Sequence, residues 1–134
     1  MYVYDTKIRV RYADTDRMGY VYYGNYPEYI EVGRTEALRA LSGSYKNLED
    51  RGVFMPVHSM FIKYIKPAFY DDLLTVKTII KEIPTRRMFF EYEIYNEKGD
   101  LLCKAETTLA FVSKETGKTC RAPEWFSKLF DEFF

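Results

Sequence analysis

Residues 3–12 alternate between apolar and polar positions. Tyr4, Thr6, Ile8, Val10 and Tyr12 share one face, and Asp5, Lys7, Arg9 and Arg11 the other, which predicts a half-buried strand. Residues 13–24 carry turn chemistry and then a short apolar patch. From about Asn25 the period changes. Tyr26, Tyr29, Ile30, Gly33, Ala37, Leu38 and Leu41 recur at helical spacing. Asn25 is a good cap, Glu28 stands where a capping box needs it, and Pro27 lies in the first turn, where a missing N–H costs little. The long helix is therefore predicted from about Asn25 to about Leu41, with Gly43 as its stop. A short second helix is predicted over roughly residues 44–51, ended by Gly52.

The period then becomes 2. Strands are predicted over residues 57–66 (Met60, Ile62 and Tyr64 on one face), 73–83 (Leu74, Val76, Ile80), 87–95 (Met88, Phe90, Tyr92, Ile94) and 101–112 (Leu101, Cys103, Ala105, Leu109, Phe111). Pro67 to Asp72, Pro84-Thr85 and Glu97 to Asp100 separate them. Glu115 to Lys118 turns the chain towards a last short strand. Pro123 opens a C-terminal helix over about 123–134, with Trp125, Phe126, Leu129, Phe130 and Phe133 as its stripe. That stripe covers either the sheet or a subunit contact. Its polar face carries Glu124, Asp131 and Glu132 against Lys128 alone, which disfavours a membrane surface.

Strand, long helix, sequential antiparallel strands, helix: this order predicts one α+β domain of two layers. Two strands are apolar on both faces, which a monomer would leave uncovered, so a homodimer or a dimer-of-dimers tetramer is expected. A chain of 134 residues buries roughly two-thirds of its unfolded surface, so no disulfide is needed. With 20 basic and 20 acidic residues the net charge is zero, which argues against nucleic acid. No apolar run reaches a membrane span and no secretory leader is present, so a cytoplasmic protein is expected. Two cysteines make neither a disulfide scaffold nor a four-cysteine zinc site. A single histidine, His58, excludes schemes that need two; beside Ser59 on a strand it reads as structural or superficial. The 13 Tyr and 10 Phe exceed what a small core needs, and point to aromatic-lined pockets or subunit contacts.

Chemistry concentrates between the first strand and the long helix. Asp14 and Asp16 sit in that loop, where acids often only satisfy backbone amides. A calcium loop fails, because its fifth position is Met18 and its twelfth Asn25. No phosphate-cradling glycine pattern occurs. Tyr23 and Gly24 precede the helix, whose first N–H groups are unpaired and partially positive. Such amides suit a developing oxyanion. An acid folded back by Gly19 completes a minimal acyl-transfer site that needs neither histidine nor metal.

From Arg9 to Tyr26 the chain reads RVRYADTDRMGYVYYGNY, followed by Glu31, Arg34 and Glu36. It resembles the R-x-x-Y/F-x-D-T/C-D-x-x-G-x-V-x-Y-x-N-Y signature of hotdog-fold acyl-CoA thioesterases of the 4-hydroxybenzoyl-CoA thioesterase type. Met55-Pro56-Val57 and the run from Phe69 to Val76 resemble the family too, so the likeness spans about residues 5 to 121. It implies a curved antiparallel sheet of five or six strands wrapped around one long helix. It implies hydrolysis of an acyl-CoA or acyl-carrier-protein thioester, with coenzyme A as part of the substrate and no cofactor or metal. Asp16 matches the catalytic carboxylate, and Asp14 is left to fix the loop. The backbone amide of Tyr23 matches the carbonyl donor, and Glu31 the helix acid that faces the acyl pocket in the hydroxybenzoyl branch. One branch has histidine where this chain has Tyr23, which leaves an accessory acid–base role open.

Arg86 and Arg87 after the Pro84-Thr85 turn read either as a solvated strand end or as a clamp for coenzyme A phosphates, for which the family uses basic residues near this strand. Lys63 and Lys66 are weaker candidates. Two competing readings are a non-catalytic acyl-CoA-binding hotdog module and a dehydratase of 3-hydroxyacyl thioesters. The second needs a histidine paired with an acid, and His58 matches no such position.

Overall fold

The computed structural model describes residues 1–42 and 44–134, so the predicted stop at Gly43 lies outside the described residues. Strand β1 (Tyr2–Arg9) leads through two short 3-10 turns, Tyr12–Asp14 and Tyr23–Asn25, into helix α1 (Tyr26–Ala40) and helix α2 (Tyr45–Asp50). Strands β2 (Val53–Phe54), β3 (Val57–Tyr64), β4 (Leu73–Ile80), β5 (Arg87–Tyr95), β6 (Leu101–Ala110) and β7 (Val112–Ser113) follow. Helix α3 (Glu124–Lys128) and a 3-10 turn, Asp131–Phe133, complete the chain. The main sheet is antiparallel in the order β1-β4-β5-β6-β3, and β2 pairs with β7.

The strict alternation of β4 and β5 puts Leu74, Val76, Ile80, Met88, Phe90, Tyr92 and Ile94 inside. Helix α1 lays Ile30, Ala37 and Leu38 onto that face, all fully buried. The approach is close at Gly33, where a Cβ would stand 2.6 Å from Val76 Cγ1. A residue that weakens a helix by about 1 kcal/mol relative to alanine is thus placed where the sheet comes nearest.

Five expectations need correction. The first strand ends at Arg9 rather than 12, because the chain turns at Tyr12–Asp14. Tyr12 therefore leaves the inner face, is 78% exposed, and packs edge-on against Tyr70. Asn25 is not a side-chain cap: the turn Tyr23–Asn25 already winds helically before α1, so Asn25 is free to reach back and donate to the Asp14 carbonyl at 2.8 Å. Met60 and Tyr64 are exposed because β3 is an outer strand of the sheet, with only Ile62 half-buried. The expected strand 101–112 breaks at Phe111, and the expected last strand reduces to one bridge, Val112 to Thr119.

The fifth concerns the C-terminus, which is a five-residue helix and a separate turn rather than one helix over 123–134. Its aromatic stripe belongs to the core of the same chain. Phe126 and Phe130 are fully buried; Phe126 meets Phe111 at 5.9 Å, and Phe130 meets Tyr2 at 6.2 Å. The Arg51 guanidinium lies 4.1 Å over the Trp125 ring. The N-terminal ammonium donates to the Phe133 carbonyl, joining the two chain ends. Among the described residues no helix is long and apolar enough to cross a membrane.

Candidate active site

The loop between β1 and α1 is built on Asp14, which is 3% exposed. Its carboxylate accepts the Arg11 backbone N–H at 3.1 Å, the Arg11 guanidinium at 3.0 Å and the Tyr29 hydroxyl at 2.9 Å. Its carbonyl accepts the Tyr22 N–H and the Asn25 amide, each at 2.8 Å. Burial alone would raise the Asp14 carboxyl, but the three donors hold it below the usual carboxylate range. The Tyr29 hydroxyl, buried and beside that carboxylate, is pushed far up. Asp14 is the loop-fixing residue expected of it.

Asp16 has a different setting. Its backbone N–H donates to the Tyr20 carbonyl at 2.8 Å, and the turn between them is closed by Gly19 at φ +80°. The left-handed backbone there is what glycine tolerates. Val21 then donates to the Ala68 carbonyl at 2.9 Å, which ties the turn to the β3–β4 connection. Asp16 Oδ1 accepts the Met18 and Tyr20 N–H groups at 2.9 and 3.2 Å. Oδ2 has no hydrogen-bond partner among the described residues. One oxygen thus does the turn work that acids in loops commonly do. The other is left over.

Asp16 and Tyr23 line one cleft of about 290 Å³, walled by Tyr20, Tyr26, Tyr64 and Lys66. Tyr23 opens the 3-10 turn that runs into α1, and neither its N–H nor that of Gly24 meets an acceptor among the described residues. The acid and the helix-start amide predicted from sequence therefore share a cavity. Sequence reasoning put Tyr64 on a strand face with Met60 and Ile62 and gave it no part in the site, since an aromatic at a strand end carries no motif.

The other candidates lie elsewhere. Glu31 is exposed and lines a separate depression with Arg34, Tyr45 and Glu49. Arg34 is buried there, donating to the Tyr45 and Tyr92 hydroxyls. Arg86 and Arg87 are exposed, with Arg87 opposite Ala110 whereas Tyr64 is opposite Cys103. Those partners stand seven positions apart along β6, roughly 23 Å at strand rise. Within one chain, Arg86 and Arg87 are at the far end of the sheet from Asp16. Lys66 lines the cleft, Lys63 does not, and His58 is exposed at an irregularity of β3.

A five-stranded antiparallel sheet packed on one long helix, with a carboxylate and free helix-start amides at the helix's leading end, defines a thioesterase-type hotdog domain. The chain belongs to the thioesterase-like superfamily, whose family model matches residues 10–130. It is 38% identical to YneP of Bacillus subtilis over 133 residues, covering 99% of this chain and 94% of that one. It is 35% identical to the acyl-CoA thioester hydrolase YbgC of Escherichia coli O157:H7 over 105 residues, 78% of each. Among solved structures, the DHNA-CoA thioesterase of Staphylococcus aureus superposes with a TM-score of 0.90 at 34% identity, covering 99% of this chain and 89% of that one.

Proposed function

We propose that this protein hydrolyses the thioester of an acyl-CoA, or of an acyl carrier protein, to a free acid and a thiol. The carrying observation is the shared cleft of Asp16, with one carboxylate oxygen unengaged, and the unpaired Tyr23 N–H. Asp16 either attacks the thioester carbonyl, expelling the thiolate and forming a mixed anhydride that water then opens, or removes a proton from the attacking water. In both routes negative charge grows on the carbonyl oxygen, and the Tyr23 N–H takes it. A donor of this kind is worth roughly 10²–10³ in rate. The names of the similar proteins, acyl-CoA thioester hydrolase and DHNA-CoA thioesterase, support the reaction class and place aromatic acyl groups high in a substrate panel.

The site works as a dimer in this reading. Strand β3 is an unpaired edge with Val57, Met60, Phe61 and Tyr64 exposed along it. Such an edge is a template for another chain. Two β3 edges meeting antiparallel about a two-fold axis set the Val57 end of one copy against the Tyr64 end of the other. The partner subunit's Arg86 and Arg87 then come to the side of the Asp16 cleft, where guanidinium groups suit the phosphates of coenzyme A. Glu31 remains a candidate for the acyl group's far end.

Turnover of benzoyl-, phenylacetyl- and octanoyl-CoA by the wild type and by Asp16→Asn tests the reading. Hydrolysis by the wild type, with kcat down roughly 10²–10⁴-fold in the variant, is expected. Undiminished turnover in Asp16→Asn removes the assignment. Tight binding of an acyl-CoA by the wild type without turnover replaces it with a non-catalytic acyl-CoA-binding module.

A further inference from the structure

Tyr64 ends the edge strand β3, and its hydroxyl donates to the Tyr23 carbonyl at 2.9 Å. The same carbonyl accepts the Tyr26 N–H, and the Tyr22 carbonyl accepts the Asn25 N–H at 2.9 Å. A trans peptide is planar, with its C=O and N–H pointing opposite ways. Fixing the Tyr22 carbonyl therefore aims the Tyr23 N–H. Fixing the Tyr23 carbonyl aims the Gly24 N–H. These two N–H groups lead the helix, and neither has an acceptor among the described residues. The bonds from Asn25 and Tyr26 are internal to the winding chain and move with it. Of the bonds to these two carbonyls among the described residues, that of the Tyr64 hydroxyl comes from another element.

That tie has a second end. Asp16 is anchored through the Val21–Ala68 bond to the connection that begins directly after Tyr64. The acid and the amides are thus both referenced to the same stretch of chain. The Tyr64 ring adds edge-to-face contacts with Tyr23 at 6.3 Å and Tyr26 at 5.1 Å. Oxyanion stabilisation depends on donors that need no reorganisation when charge appears.

We propose that Tyr64 is a positioning residue for the oxyanion site: by fixing the Tyr23 carbonyl it aims the Gly24 N–H, so that this group joins the Tyr23 N–H on the thioester carbonyl oxygen. The inference rests on the thioesterase reading and extends it to a second amide donor and to a side chain on the sheet edge. Tyr64→Phe removes the hydroxyl and keeps the ring. With the best-turned-over of benzoyl-, phenylacetyl- and octanoyl-CoA, kcat is expected to fall roughly 10- to 100-fold, with KM within about twofold. S-octyl-CoA, a thioether without the carbonyl, is expected to bind both proteins alike. The ¹⁵N order parameter of Gly24 is expected to fall in the variant while those of the α1 interior hold. An active wild type with unchanged kcat in Tyr64→Phe, a loss confined to KM, or a Gly24 order parameter equal in the two proteins overturns the proposal alone. A wild type inert towards every thioester overturns it together with the thioesterase reading.

Discussion

Where Tyr2 pairs with Ile80, the sheet is closed by Phe111, Phe126 and Phe130, all fully buried, with rings meeting edge to face at 5.5 and 5.9 Å. At the other end, where Tyr64 pairs with Cys103, Tyr12, Tyr22, Tyr23 and Tyr64 remain 46–78% exposed. Phenylalanine carries no polar atom and loses nothing by complete burial, whereas a tyrosine hydroxyl needs water or a partner. Two groups of aromatic rings thus stand at opposite ends of the sheet. One seals the fold. In the other, Tyr23 and Tyr64 line the cleft that holds Asp16, and the Tyr64 hydroxyl donates to the Tyr23 carbonyl. Functional surfaces come from the less tightly packed parts of a fold, and this molecule separates the two by the length of its strands.

Paired substitutions test that separation. Asp16→Asn at the open end is expected to lower kcat roughly 10²–10⁴-fold while stability in urea changes by no more than about 0.5 kcal/mol. Phe126→Ala at the closed end is expected to cost about 3–5 kcal/mol of stability, because a fully buried ring leaves a cavity among Phe111, Trp125 and Phe130. Its kcat per folded molecule should stay within about twofold of wild type. A large kcat loss in folded Phe126→Ala would show that the two ends are coupled.

Asp14 sharpens the comparison further, because it lies two residues from Asp16 but belongs to the structural side. Asp14→Asn is expected to cost about 1–3 kcal/mol, leaving the Arg11 and Tyr29 donors without their charged acceptor. The pH dependence has a definite sign. The folded Asp14 carboxyl titrates below its unfolded value, so its stabilisation is complete above the unfolded value of about 3.9 and is lost as pH falls from there through the folded one. Urea midpoints of wild type and Asp14→Asn measured between pH 3 and pH 6, a range of roughly one unit below to two above that value, should converge towards the acid end. Parallel curves would mean that Asp14 is not held low.

The parts legible in the sequence are those with a period or a motif. The alternation in β4 and β5 grouped Val76 with Leu74 and Ile80, and Phe90 with Tyr92, on the faces that the fold buries, and helical spacing gave α1 to within a residue of its ends. The D-T-D-x-x-G run placed Asp16 beside the helix start, because Gly19 closes that turn locally. Illegible features depend on contacts distant in sequence. The two-residue strands β2 and β7 have no period to read. Asn25 looked like a cap until the 3-10 turn ahead of it took over the winding. Tyr64 bonds a carbonyl 41 residues away, a contact only the sheet order brings about. Glu31, Arg86 and Arg87 were grouped with Asp16 by resemblance, and one copy of the chain keeps them apart.

That gap between Arg87 and the cleft supplies the smallest expected effect and a direct test of the two-copy arrangement. Roughly 23 Å of strand separates Arg87 from the Tyr64 end within one chain, so its charge reaches a substrate headgroup there only from a second copy. An exposed ionic contact is worth ~0.2–1 kcal/mol, so Arg87→Glu is expected to raise KM for an acyl-CoA by roughly 2- to 10-fold, leaving kcat unchanged. Salt should raise the wild-type KM and affect the variant less, because screening acts on a contact that the variant has already lost. Light scattering should give a mass of at least two 16.0 kDa chains for both proteins. A dimer in which Arg87→Glu leaves KM and its salt dependence untouched returns Arg87 to a solvated strand end. A 16.0 kDa particle that still hydrolyses acyl-CoA fully would remove the partner subunit from the site.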